Sequence, residues 1–140
     1  MVKQFYRDDY VTIELDDEVP CVKATAQGLP KFSEHFQLVQ IKRLELLHQE
    51  IKNFDLLHLL TDSRQAGPIL DIDVEFFKQS VLPEIERMGV KFWAIVLPKS
   101  KFTRFAVREM ISQSEEIEFS TFDDMREART WLKSKSVMAL

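Results

Sequence analysis

Val11, Ile13 and Leu15 alternate with Tyr10, Thr12 and Glu14, a period of two that predicts a half-buried strand. Asp16-Asp17-Glu18 makes a charged turn, and Pro20 to Gln27 reads as the return strand, with Val22, Ala24 and Ala26 on one face. Gly28-Leu29-Pro30 stops it. The short connection predicts antiparallel pairing. The period then lengthens. Phe36, Val39 or Gln40, Arg43 or Leu44, Leu47 and Ile51 follow a helical repeat over residues 33–52, with Ser33 as the expected N-cap. Lys42, Glu45, Gln49 and Lys52 occupy the other face. Leu38, Ile41 and Leu46 widen the apolar stripe beyond what a one-sided surface helix needs, and so offer a face to a second chain.

Phe54 to Pro98 is the most informative stretch. Leu56 to Thr61 reads as a strand that ends in the polar cluster Asp62-Ser63-Arg64, with a loop to Pro68. A helix follows, capped by Asp71 or Asp73, running to Met88 and ended by Gly89. Pro83 lies inside it. An internal proline costs roughly 3 kcal/mol and removes a hydrogen bond, so a kink or break is expected near Ser80 to Leu82. Phe92 to Leu97 is apolar without alternation and reads as a strand buried on both faces. Strand, crossover helix and strand in that order predict a parallel βαβ unit.

Ser100 is the expected cap of a helix reaching about Ser114, and Ile117 to Phe122 forms the last strand, with Ile117, Phe119 and Thr121 inward. Asp124 and Glu127 are spaced as a capping box. The helix they open runs to 134 and packs Met125, Ala128 and either Trp131 or Leu132. Residues 135–140 are expected to fray. The predicted fold class is α/β: a mixed, mostly parallel sheet with an N-terminal antiparallel hairpin and helices packed on it. The order is ββαβαβαβα, in one domain over residues 1–134.

Composition narrows the function classes. The chain has 140 residues, 45% hydrophobic and 30% charged, which is ordinary for a globular domain. A net charge of −4 argues against nucleic acid as a partner. Cys21 is the only cysteine, so neither an internal disulfide nor a cysteine metal site is expected. The start of the chain has no apolar core of signal-peptide length, and no stretch approaches the ~20 apolar residues of a membrane helix. A cytoplasmic location is the expectation.

Open α/β sheets bind ligands beyond the carboxyl ends of their strands. The candidate ligand or partner rim is therefore Asp62, Ser63, Arg64, Lys99 and Ser100. Ser63 is open to phosphorylation and Arg64 to gripping a carboxylate or phosphate. The plainer reading pairs Arg64 with Asp62 or Asp71 and spends Asp62 and Ser63 on loop amides. Lys99, Lys101, Arg104 and Arg108 suit an anion at a helix start, or are simply a solvated face balanced by nearby glutamates.

No catalytic residue is singled out. His35 and His48 lie thirteen residues apart, and His58 sits mid-strand, without metal-ligand spacing. The glycines are too few and isolated for a nucleotide loop, and no G-x-S-x-G elbow is present. Coupling Asp62 with His58 as acid and base fails, because four residues along a strand span ~13 Å. A phospho-acceptor receiver fails as well: Asp16-Asp17 falls in a hairpin turn. No cofactor and no metal are expected.

The strand order, the Asp62-Ser63-Arg64 step after an apolar strand, and the runs LPEIERMGVKFWAIVLP and FDDMREARTWL resemble the STAS-type, SpoIIAA-like family. Its anti-sigma-factor-antagonist fold is sometimes grouped with the CRAL-TRIO/SEC14-like fold. The resemblance covers roughly residues 10–133. It implies a regulatory or protein-interaction module without catalysis of its own, with an unidentified protein partner and a possible homodimer. In the family's antagonists, a serine at the helix start after the corresponding strand is phosphorylated. Here that start reads Gly67-Pro68-Ile69-Leu70-Asp71-Ile72-Asp73, without a hydroxyl. The phosphorylation site is not carried over. A small anionic or lipid-like ligand at the strand ends is the alternative function.

Overall fold

A computed structural model describes residues 1–112 and 114–138. Six strands form one sheet in the order β1-β2-β3-β4-β5-β6. They are β1 (Val2–Arg7), β2 (Val11–Asp16), β3 (Cys21–Gly28), β4 (His58–Ala66), β5 (Phe92–Val96) and β6 (Glu118–Phe122). The first two pairings are antiparallel and the remaining three parallel. The α/β class and the mixed sheet are as the sequence predicts, with one strand added at the front. β1 was not expected, because five of its six residues are exposed and leave no burial pattern to read.

Strand order equals chain order, and this fixes where the helices go. Right-handed crossovers that always step in one direction land on one face. Helix α1 (Ser33–Glu50), the pair α2 (Asp71–Phe76) and α3 (Leu82–Arg87), and α4 (Lys101–Ile111) therefore share a face. Their Leu47, Ile85 and Val107, with Phe77 between α2 and α3, pack with Ile13, Leu59 and Trp93 of the sheet. No crossover follows β6, so α5 (Met125–Met138) covers the other face, setting Ala128 and Leu132 against Leu60, Ala94 and Val96. β5 is sandwiched between both layers, which is why its sequence shows no polar alternation.

Several local expectations change. Ser33 is the first helical residue and Phe32 the N-cap, without a side-chain bond. The His35 ring instead ties down the residue before the cap, its Nδ1 accepting the Lys31 amide at 2.9 Å. Leu70, not Asp71 or Asp73, precedes α2. Ser100 does cap α4, accepting from the Thr103 amide. Pro83 lies in the first turn of α3, after a π-helical turn at Phe77–Val81, so the helix breaks where its missing N–H does no harm. The expected frayed end at 135–140 is corrected: α5 continues to Met138. Ser136 Oγ lies 2.7 Å from His58 Nε2 and donates to the Val19 carbonyl, which holds that turn in place. Residues 139–140 lie outside the described residues.

β4 is longer than predicted, because β3 pairs with it as far as Gly28 and Ala66. Asp62, Ser63 and Arg64 are thus strand residues rather than a loop. In α1, Leu46 turns inward while Leu38 and Ile41 face outward. At the N-terminal side of the sheet β1 covers β2 and forms the edge.

Candidate functional site

Alternation along β4 divides the predicted rim. Asp62 and Arg64 face the α5 layer, and Ser63 faces the α1–α4 layer. Arg64 donates to both Asp62 oxygens, Nε to Oδ1 at 2.9 Å and Nη2 to Oδ2 at 2.8 Å. Burial by itself would raise the Asp62 carboxyl, but these bonds outweigh it and the net shift is downward. Ser63 is buried and its Oγ donates to the Val96 carbonyl at 2.6 Å. Lys99 is exposed, and Ser100 is occupied as a cap. Arg104 donates to the Pro98 carbonyl at 2.6 Å and to Asp123 at 2.9 Å. The pairing of Arg64 with Asp62, the plainer reading, is what the geometry contains.

His58 and Ser136 are the one close Ser–His pair among the described residues. Ser136 Oγ donates to the Val19 carbonyl, so its second contact is accepted from His58 Nε2–H. A nucleophilic serine needs the reverse, a histidine that accepts the hydroxyl proton. Burial moreover pushes His58 down to about 4, and it pushes the Cys21 thiol up to about 12. Neither group is poised as a base or nucleophile at neutral pH.

One apolar concavity lies on the α1–α4 face, beneath the carboxyl ends of the parallel strands. Its floor carries the small side chains Ala24, Ala26, Thr61 and Ser63, which leave space that Phe36 and Phe77 wall in. The cavity is about 80 Å³ and mostly apolar. Tyr10, Phe36 and Ile69 also wall a neighbouring groove of about 270 Å³. Its mouth carries Leu29, Phe32 and Leu70, all exposed. Gly67 draws the mouth together: its amide donates to the Gly28 carbonyl at 2.8 Å, and a Cβ there would lie 2.8 Å from Leu29 Cδ2.

Polar groups inside are few. Trp93 Nε1–H donates to Thr61 Oγ1 at 2.9 Å. Arg43 is buried, with its guanidinium 4.9 Å from the Trp93 ring centre and 5.9 Å from that of Phe77. It donates to Gln40 Oε1, and its Nε has no partner. Burial pushes Arg43 down to about 10 and Tyr10 up to about 12. Asp73, at the groove, is 2% exposed with Oδ1 unpartnered. Arg43 appeared in the sequence only as one of two residues at a helix position, and Asp73 only as a cap. A charged residue on an apolar stripe is the signal that marks Arg43. Among the described residues, no group of three or more His, Cys, Asp or Glu side chains is placed to hold a metal, and no helix is long and apolar enough to cross a membrane.

Fold and cavity together define an α/β protein with a mixed six-stranded sheet and an apolar recess at the strand ends. No protein-family model matches the chain, and no curated protein matches it. Among solved structures, it is similar to an uncharacterised DUF3478-family protein with a SpoIIAA-like fold from Shewanella loihica PV-4. The identity is 17% and the TM-score 0.49, over 94% of this chain and 95% of that one.

Proposed function

We propose that the protein is a binding module, without catalysis of its own, for a small anionic or lipid-like ligand held at the carboxyl ends of its parallel strands. The observation that carries this reading is the apolar cavity and its adjoining groove, walled in common by Tyr10, Phe36 and Ile69. The cavity alone is roughly half the ~150 Å³ that accommodates a benzene ring, so the ligand extends into the groove. Native mass spectrometry of the purified chain, with a thermal-shift screen of fatty acids, phosphorylated metabolites and nucleotides, tests it. A ligand at one hundred times its dissociation constant stabilises by about 2.7 kcal/mol. Ala24→Leu, which fills the floor, removes that response. A screen without any shift overturns the reading.

A regulatory, partner-binding role is the second reading. It is supported by Phe102 and Phe105 on α4, which are 87% and 67% exposed. Exposed aromatic side chains of this size are typical of interaction surfaces. Sedimentation of the purified protein tests a homodimer, and a pull-down comparing wild type with a Phe102→Asp, Phe105→Asp variant tests another protein partner. A monomer that recovers the same proteins with either bait overturns it.

A further inference from the structure

Arg43, a buried cation lining the cavity, has no acidic partner among the described residues. A charge kept from water is costly unless an anion or a full set of acceptors meets it. Arg43 carries five N–H donors. Nη2 donates to Gln40 Oε1, while Nε is buried without an acceptor. Trp93 and Phe77 offer ring faces to the cation, which eases its burial but accepts none of its in-plane N–H groups. Among the described residues, Arg43 makes no ion pair; Asp73, the buried acid at the groove, is left with an unpartnered oxygen of its own.

We infer that the ligand is a monocarboxylate with an apolar body, its carboxylate bound by Arg43 beside Gln40 and its body running past Tyr10 and Phe36 into the groove. The inference rests on the ligand-binding reading above and assigns the chemical class. One guanidinium balances one negative charge and presents paired donors that match a carboxylate. A phosphate dianion would bring a second charge against apolar walls. Asp73 at the groove opposes a second carboxylate on the far end of the ligand, so dicarboxylates are excluded as well.

Calorimetric titration of the full chain tests this. The probes are straight-chain monocarboxylates of six to twelve carbons, below their micelle concentrations, with the matching alcohols, the matching dicarboxylates and inorganic phosphate. Monocarboxylates are expected to bind about tenfold or more tighter than the alcohols and dicarboxylates, and phosphate not at all. Arg43→Met is expected to remove that advantage. Alcohols binding wild type as tightly as the acids would overturn the carboxylate assignment while leaving the ligand-binding reading intact, and this comparison needs no variant. Binding of none of the acids or alcohols overturns both.

Discussion

The Arg43 guanidinium lies over the Trp93 ring, 4.9 Å from its centre, where helix α1 meets strand β5. Such a cation is held by packing rather than by an ion pair. An apolar side chain of similar length avoids the several kcal/mol that taking an unpaired ion out of water costs. Arg43→Met is accordingly expected to unfold at the same or a higher urea concentration than wild type. Arg43→Ala leaves a void and is expected to cost about 2–3 kcal/mol. A large loss in the Met variant would show that the charge itself holds the fold.

Asp8 ties the β1–β2 turn to the start of α1. Its Oδ2 lies 2.7 Å from both the Tyr6 hydroxyl and His35 Nε2, and its Oδ1 accepts the Tyr10 and Val11 amides. Partial burial alone would raise this carboxyl, but the four bonds outweigh it and hold it at about 2 against an ordinary 3.8. A depressed carboxyl contributes stability above its unfolded value, and that contribution disappears as pH falls through the folded one. Asp8→Ala is expected to cost about 1–2 kcal/mol at pH 7, after allowance for solvent screening. Urea titrations should show the gap to wild type closing between pH 4 and pH 2, and a constant gap would refute the account.

His58 works in a different window. Burial moves it from 6.5 down to about 4. Between those values the unfolded chain takes up a proton that the native ring refuses. Stability therefore falls as pH drops from about 6.5 to about 4, by roughly 2–3 kcal/mol, and this contribution levels off below that. His58→Gln, which does not titrate, is expected to flatten the slope in that window, as followed by thermal melts at half-unit pH steps. An unchanged slope would assign the effect to other groups.

Ser63 is spent on the Val96 carbonyl and is closed to solvent. Ser63→Ala is expected to cost about 1 kcal/mol, the worth of one buried hydrogen bond. Ser63→Asp buries a carboxylate without a partner and is expected to cost about 3 kcal/mol or more. Thermal melts of the two variants check this. An Asp variant as stable as wild type would reopen Ser63 as a modification site.

Much of the fold was legible because its signals are local. Pro83 announces a helix break wherever it falls, and the chain answers with a π-helical turn just before it. Unbroken apolar Phe92–Val96 announces a strand covered on both sides. Where the signal was not local, reading failed. β1 carries almost no buried side chain, so its place in the sheet comes from pairing with β2 alone. β4 runs past Thr61 because β3 offers partners as far as Gly28. Ser136 looked like tail until His58 and Val19, far away in sequence, came to meet it.

The candidate rim shows the same boundary. Placing the proposed ligand site near the ends of β3 and β4 follows from strand order, and strand order follows from the spacing of apolar residues and the lengths of connections. Spacing also implies that neighbouring strand residues point apart. It does not say which face holds a cavity, because that depends on how small Ala24 and Ala26 sit opposite Phe36 and Phe77 from distant segments. Periodicity places Arg43 on the apolar stripe of a helix, and only the packed structure decides that its charge is enclosed without an acidic partner among the described residues. Secondary structure is set by interactions over a few residues, whereas burial and the pairing of charges are set by whichever parts of the chain arrive from elsewhere.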